Sequence, residues 1–556
     1  MEDLAAAGVM EVSGDLVTVV AEMRAELARL RQEVARLQRD NLELRQQAGY
    51  WQKMHARASE RIEQLQQRVE DLKAENRKLR QQAFGRKSEK AARSDGDWLS
   101  ELDEAGGSPG SPRQRGHQKG QPGPQRRDYQ HLPARTELVE LPPAQCCCPR
   151  CGQPYGERDE TEDSEQIEIE VKAYRRVIKR KRYQPRCRCT GPWQIVTAPA
   201  PPKLIAKSRL GMSVWVELLL DKFVSQRPTE RLLEQWRLLG LDVAAGTVTG
   251  GLQRLEPLFT PLYEALIARQ QRAGYWQGDE TRWQVFEDQQ GKVGHQWWLW
   301  VFLSQDTVVF VLDVSRSRRV PQDHLPQECE PTGVMMVDRY SSYKAMTQVK
   351  NGTIVLVFCW AHVRRDFIRV GKAWPELKDW ALAWLRRIRE LYRLNQQRLL
   401  ALPPKTEANT LTQARLRQHV NAMQEQARRE GADPALRAPC RKVLTSLQEH
   451  WSGLTRFVDD PRIPLDNNAC ERQLRSPVLG RKNYYGSGAV WSGRLTAMLF
   501  SLFATLERCQ MNVRDWLATY LQACAQAGGR PPPNLDDWLP FPTRELLQPN
   551  PPQDVA

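Results

Sequence analysis

From Leu27 to Leu79, apolar residues recur every seven positions. With Leu27 at position a, the a series is Leu27, Val34, Asn41, Ala48, His55, Ile62, Val69 and Asn76. The d series is Leu30, Leu37, Leu44, Trp51, Ala58, Leu65, Leu72 and Leu79. Thirteen of the sixteen are apolar, where the chain-wide 40% would give about six, so residues 15–82 are expected to form a leucine-zipper-like coiled coil. Asn41 and Asn76 at a favour a parallel two-stranded register, and the seam thins between Ala48 and Ala58. One long helix packed on its own protein would show the same stripe.

Residues 201–262 keep helical spacing in three pieces, "MSVWVELLLDKF", "PTERLLEQWRLLG" and "AAGTVTGGLQRLEPLF", with Pro228 at a start and Gly240 at a stop. Helix-turn-helix units and plain helical connectors share this pattern. The period then changes. "YWQGDETRWQVF", "HQWWLWVFLS" and "DTVVFVLDV" read as strands joined by short turns, and "GVMMVD" and "TIVLVFCW" as buried strands of the parallel type. A mixed sheet is expected. "LKDWALAWLRRIRELYRLNQQRLL" and "LRQHVNAMQEQARRE" return to long amphipathic helices. The whole is a multidomain α+β chain, as 556 residues require more than one core.

Composition narrows the partner. With 82 Lys+Arg against 67 Asp+Glu the net charge is +15, which suits a polyanion. The longest apolar runs, such as Ile354 to Ala361, are far below the roughly 20 residues that span a bilayer, so no membrane segment is expected. The start, Met1-Glu2-Asp3, lacks the basic and apolar regions of a secretory signal. Residues 83–135 read as a Gly/Pro-rich basic linker, with six Lys/Arg against one Asp between Pro112 and Arg135.

Residues 136–200 hold the clustered cysteines. Cys148 and Cys151 form a knuckle, and Cys187 and Cys189 supply two more thiolates, enough to close a tetrahedral structural zinc site in a ribbon-like module. Cys146 and Cys147 compete for the role, and free thiols remain the alternative. Between the pairs, "EQIEIEVKAY" runs into "RRVIKRKRY", a hairpin pattern with one basic strand; Lys172 to Arg188 carries nine Lys/Arg and no acid.

Two carboxylates fall on the sheet: Asp279 on the first strand and Asp338 at the C-terminal end of the fourth, where α/β sheets usually bind ligands. In "PLDNNACERQLRSPVLGRKNYYGSG", Asp466 suits a helix N-cap, and Glu471 and Arg475 share a helical face while Arg472 points elsewhere. An ordinary surface ion pair explains that spacing equally well. Arg481, Lys482, Tyr484 and Tyr485 place cations and aromatics in an expected glycine-flanked loop, a mixture that suits phosphates and splayed bases. Glu280 points to the face opposite Asp279 if both lie on a strand.

"FGRKSEK", the cysteine knuckle, "GDETRW", "VDRYSSY", "CWAHVRRDF" and "DNNACERQLR...GRKNYYGS" follow one another as in transposases of the insertion sequence sixty-six family, which the chain resembles to about residue 525. The resemblance implies a DDE transposase with an RNase H-like core in residues 263–372 and 457–525, a helical insertion at 373–456 and a Pro-rich tail at 526–556. It implies Asp279, Asp338 and Glu471 as the acidic triad holding two Mg²⁺ or Mn²⁺ ions, and Cys148, Cys151, Cys187 and Cys189 as ligands of a structural Zn²⁺. Arg364, Arg365, Arg472, Arg475, Arg481, Lys482 and Tyr484 become DNA-contact candidates, and His362 an auxiliary one. The implied partners are DNA at element ends and target, a second copy of the chain or a higher oligomer, and accessory element-encoded proteins, in a bacterial cytoplasm beside the nucleoid. The spacing 471 − 338 = 133 residues leaves room for the insertion. An inactive DNA-binding derivative of a transposase and an RNase H-like nuclease or resolvase are the rival readings.

Overall fold

The computed structural model describes residues 3–84, 134–136, 150–154, 167, 171–183, 195–288, 294–401 and 407–541. Cys146, Cys147, Cys148, Cys187, Cys189 and nearly all of the expected linker lie outside them. The described residues fall into two units, one holding residues 3–84 with 366–385 and the other holding the rest. The main helices are α1 (Asp3–Phe84), α2 (Met212–Phe223), α3 (Thr229–Leu238), α4 (Ala245–Gln271), α5 (Trp360–Ala373), α6 (Lys378–Leu400), α7 (Glu407–Ala432), α8 (Ala438–Glu449), α9 (Asn468–Gln473), α10 (Arg475–Tyr484), α11 (Val490–Arg508) and α12 (Val513–Gln526). Among the described residues, no helix is long and apolar enough to cross a membrane.

In the first unit α1 is one unbroken helix. Its heptad side chains from Leu27 to Asn76 are exposed, the large apolar ones from 47% at Val69 to 66% at Trp51. Residues 366–385 make an aromatic cluster, with Phe367 stacked on Trp384 at 5.2 Å and tilted on Trp380 at 5.3 Å.

The second unit is built on five strands: β1 (Tyr275–Gln284), β2 (Gln296–Leu303), β3 (Val308–Asp313), β4 (Gly333–Val337) and β5 (Ile354–Phe358). All five match the apolar runs read from the sequence. Their spatial order is β3-β2-β1-β4-β5; β1, β2 and β3 pair antiparallel, while β4 runs parallel to β1 and β5 to β4. β2, β4 and β5 are buried over most of their length on both faces, hence their near-continuous hydrophobicity. Half of the acidic strand of the expected hairpin lies outside the described residues. Residues 171–181 are exposed and belong to no strand, and Arg182–Tyr183 pairs antiparallel with Val196–Thr197. Six Lys/Arg between Lys172 and Lys181 would repel one another in a close ladder, and Val171, Tyr174, Val177 and Ile178 stay exposed.

The helical pieces before the sheet appear as α2, α3 and α4. Gly240 adopts φ +76° after α3, as a helix-ending glycine does. At Gly251 of α4 a Cβ would lie 1.9 Å from the Trp215 ring of α2, so this close packing requires glycine. The third piece runs on to Gln271, through Pro257 and Pro261, because Leu255, Leu258, Phe259, Leu262 and Leu266 are buried along that length. Packing there outweighs the local cost of the prolines. The tail, too, is partly held: the Trp516 indole donates to the Trp538 carbonyl (2.9 Å), and the Arg269 guanidinium lies 3.8 Å from the Phe541 ring centroid.

β3 is a sheet edge with backbone groups to satisfy. Helix α11 covers it. The Val308 amide donates to the Thr505 hydroxyl (3.0 Å), which donates to the Val308 carbonyl (3.1 Å), and the Phe310 amide donates to the Ser501 hydroxyl (2.8 Å). The Tyr263 hydroxyl of α4 donates to the Phe310 carbonyl (2.7 Å). Thr505→Val keeps the side-chain shape but strips both partners from buried Val308, so denaturant unfolding should show a loss of about 1–3 kcal/mol. An unchanged midpoint would mean that the edge is satisfied some other way.

Candidate active site

Asp279 sits mid-strand on β1, Asp338 directly follows β4, and Glu471 lies on α9. The chain from Leu465 to Glu471 brings the third acid to the sheet. The Trp360 amide donates to the Leu465 carbonyl (2.9 Å), and the Asn467 amide donates to the Cys359 sulfur (3.2 Å) just past β5. The buried Asn467 side chain donates to the Gly278 carbonyl (2.9 Å), and the Cys470 amide donates to the Gln277 side chain (3.2 Å). Thus the start of α9 is fastened to β1 at the two residues preceding Asp279. Asp466, expected as the N-cap, lies one residue before it, the N-cap being Asn467; its carboxylate accepts from the Asn468 amide (3.1 Å) and the Tyr392 hydroxyl (3.2 Å). Asn467, Cys470 and Gln277 were not singled out in the sequence; the "DNNACE" run was the signal for the first two.

Asp279 is pushed well above the usual carboxylate range, first by burial, then by Glu280, Glu471 and Asp338, against a single stabilising hydrogen bond from the Glu280 amide (2.9 Å). Its chain neighbour and two acids from distant segments therefore act on one carboxyl. Asp338 accepts from the Tyr340 amide (2.9 Å). Glu471 does not meet Arg475, which opens α10. It meets Arg365 of α5, whose guanidinium donates to it at 3.0 and 3.5 Å and also donates to His362 Nε2 at 3.2 Å. The His362 Nδ1 lies 3.8 Å from Glu471 and is buried without a hydrogen-bond partner. Burial pushes the His362 imidazole below its ordinary range, with Glu471 pulling the other way.

Glu280 is occupied elsewhere. Its carboxylate accepts from Arg316 Nε (2.8 Å) and from the Tyr343 hydroxyl (2.7 Å), and that guanidinium stacks over Tyr340 at 3.9 Å and Trp298 at 4.8 Å. The Tyr340 and Ser342 hydroxyls donate to the Arg316 carbonyl (3.2 and 3.0 Å), tying the segment after Asp338 to the same arginine. Arg316 and Tyr343 are further residues that sequence reading missed.

The cations expected in a loop lie on α10, which extends to Tyr484. Arg481 donates to the Thr281 hydroxyl (3.0 Å) and to the Arg282 carbonyl of β1. Tyr484 donates to Gln226 (2.9 Å) with its ring edge-on to Trp283 at 6.3 Å. Lys482, Arg472 and Arg475 are exposed, and Arg364 is half-buried. After α10 the chain turns through Tyr485 (φ +66°) and Gly486, where a Cβ would lie 2.2 Å from the Gln284 carbonyl. Ser487 then bonds to the end of β1. Cys151, the one candidate zinc ligand among the described residues, is exposed.

Oxygen donors with few protein hydrogen bonds suit a hard divalent cation, and Asp279, Asp338 and Glu471 are such a set. Fold and site together define a mixed α+β protein with an acid-lined centre on a five-stranded sheet. Residues 207–495, more than half of the chain, match the family model described as Transposase IS66 family, and the chain belongs to that family. It is similar to three proteins of Sinorhizobium fredii (strain NBRC 101917 / NGR234). It is 25% identical over 433 residues to "Uncharacterized protein y4hP", covering 73% of this chain and 75% of that one. It is 27% identical over 408 residues to "Uncharacterized protein y4jD" (70% and 77%) and 23% over 399 to "Uncharacterized protein y4qI" (68% and 70%).

A raised Asp279 pKa has a stability sign. The native state holds that proton more tightly than the unfolded chain, so stability falls as pH rises from the unfolded carboxylate range through the folded pKa. Asp279→Asn removes the liability. In chelator, the variant should melt above the wild type at neutral pH, and the gap should close below about pH 4. A variant that melts lower at pH 7 would contradict the burial of this charge.

Proposed function

We propose that the chain is a DDE transposase whose sheet is an RNase H-like core, cutting the ends of a mobile element and joining them to target DNA. The observation that carries this is the convergence of Asp338 and Glu471 on the buried Asp279, together with family membership. Asp279, Asp338 and Glu471 would hold two Mg²⁺ or Mn²⁺ ions, which supply activation of the attacking oxygen and stabilisation of the leaving one in an in-line displacement at phosphorus. Glu280, pinned by Arg316 and Tyr343, orients the strand and stays out of the ligand set. Exposed Arg472 and Arg475 flank Glu471 in sequence and suit DNA phosphates, as does Lys482. The exposed cationic segment 171–183 would track a phosphate backbone, and Cys148, Cys151, Cys187 and Cys189 would hold a structural zinc ion. No protein nucleophile is required, because water and then the freed 3′-hydroxyl attack.

With a labelled element end and Mg²⁺, Asp279→Asn, Asp338→Asn and Glu471→Gln should each reduce cleavage to background while end binding persists, because an amide is a poor ligand for a hard dication. Near-normal cleavage by the Asp338 variant would remove that acid from the site. Loss of none of the activity in all three would favour a different nuclease chemistry.

Joining two ends requires two active sites, and the solvent-facing heptads of α1 are the proposed means of pairing chains. Leu27 to Leu79 spans 79 − 27 + 1 = 53 residues, about 80 Å of helix. Light scattering of segment 15–82 should give a dimer at roughly tens of micromolar. A monomer there would transfer pairing to the helical insertion or to DNA.

A further inference from the structure

We propose that Cys359, His362 and Glu471 form a second metal site, selective for a thiophilic divalent cation such as Zn²⁺, which draws Glu471 out of the acid triad. One ligand atom from each side chain lies within 4.8 Å of the others. Thiol, imidazole and carboxylate are the donor types of three-ligand zinc centres, which leave a fourth position to water. They are a poor set for Mg²⁺, which prefers oxygen.

Local structure builds the cluster. Cys359 ends the β5 crossing and His362 sits one turn on, in the first turn of α5, so both side chains reach the same end of the sheet. Glu471 arrives on α9, whose preceding residue Asn467 donates its amide to the Cys359 sulfur (3.2 Å). The unpartnered Nδ1 of His362 faces Glu471 at 3.8 Å, an orientation that no hydrogen bond to Nδ1 accounts for. In the metal-free arrangement Arg365 supplies the positive charge, donating to both Glu471 and His362 Nε2. A guanidinium only donates, so Nε2 is the acceptor and Nδ1 carries the proton. On zinc binding the thiol proton leaves to solvent, the imidazole proton moves to Nε2, and Arg365 turns away from that nitrogen. The consequence, inhibition of cleavage by zinc, rests on the transposase reading; the site itself does not.

The test is zinc content of the full-length chain, by elemental analysis after dialysis against Zn²⁺ in the presence of excess Mg²⁺. The wild type should hold about one zinc per chain more than Cys359→Ser and than His362→Gln. Cys148→Ser should lower the count separately, since its cysteines belong to another set. Equal zinc in the wild type and in a folded His362→Gln chain overturns the proposal. The half-buried histidine makes that comparison sufficient if Cys359→Ser fails to fold. A wild type that binds the extra zinc but, before any zinc is added, fails to cleave DNA with Mg²⁺ would count against the transposase reading and leave this site standing.

Discussion

Like charges resist being gathered, and the second unit is arranged around that resistance. Asp279 carries the main strain, because burial and three neighbouring carboxylates all oppose its ionisation. Glu280, next to it in sequence, acts most strongly of the three. Its carboxylate is held in place by donors from Arg316 and Tyr343. What remains is held by backbone: one amide for Asp279, one for Asp338, and the Asn467 and Cys470 bonds that keep α9 against β1. The rigidity of this frame allows carboxylates to stay close when no cation is present.

That frame depends on a sheet that does not move. The antiparallel half ends at β3, where hydroxyls of α11 and Tyr263 of α4 take the place of a further strand. The parallel half ends in the Asp338 and Cys359 segments. β1 lies between the halves, so Asp279 occupies the strand with neighbours on both sides. A mid-strand acid on a central strand can slip only if both ladders break.

Elements set by local pattern were legible in the sequence. Five strands, the helical trio, α6 and the heptad helix each announce themselves through period, and Asp338 stands at a strand end that the apolar run defines. Partners across long separations were not legible. Glu471 finds Arg365, 106 residues away, in place of the helical neighbour Arg475, and Glu280 finds Arg316, 36 residues on. Neither pairing leaves a periodic trace. The "RKNYYGS" run was misread as a loop because its glycines draw attention, whereas Gly480 sits inside α10 with no room for a Cβ between Gln226 and Tyr484. Smallness there serves helix packing.

Arg365 links the charges of the site to its geometry. A single guanidinium spans Glu471 and His362, so the orientation of the imidazole and the countercharge of the acid are set by one side chain. It stands in for a cation at one corner of the acidic cluster, while Asp279, with no arginine of its own, keeps its raised pKa. Any divalent ion that takes Glu471 as a ligand must share that carboxylate with Arg365 or displace it, and displacement also frees His362 from its acceptor role. The cation-loaded and cation-free arrangements are therefore alternatives on the same residues, and the choice between hard and thiophilic ions turns on which neighbours Glu471 has when the guanidinium leaves: two aspartates, or a thiol and an imidazole.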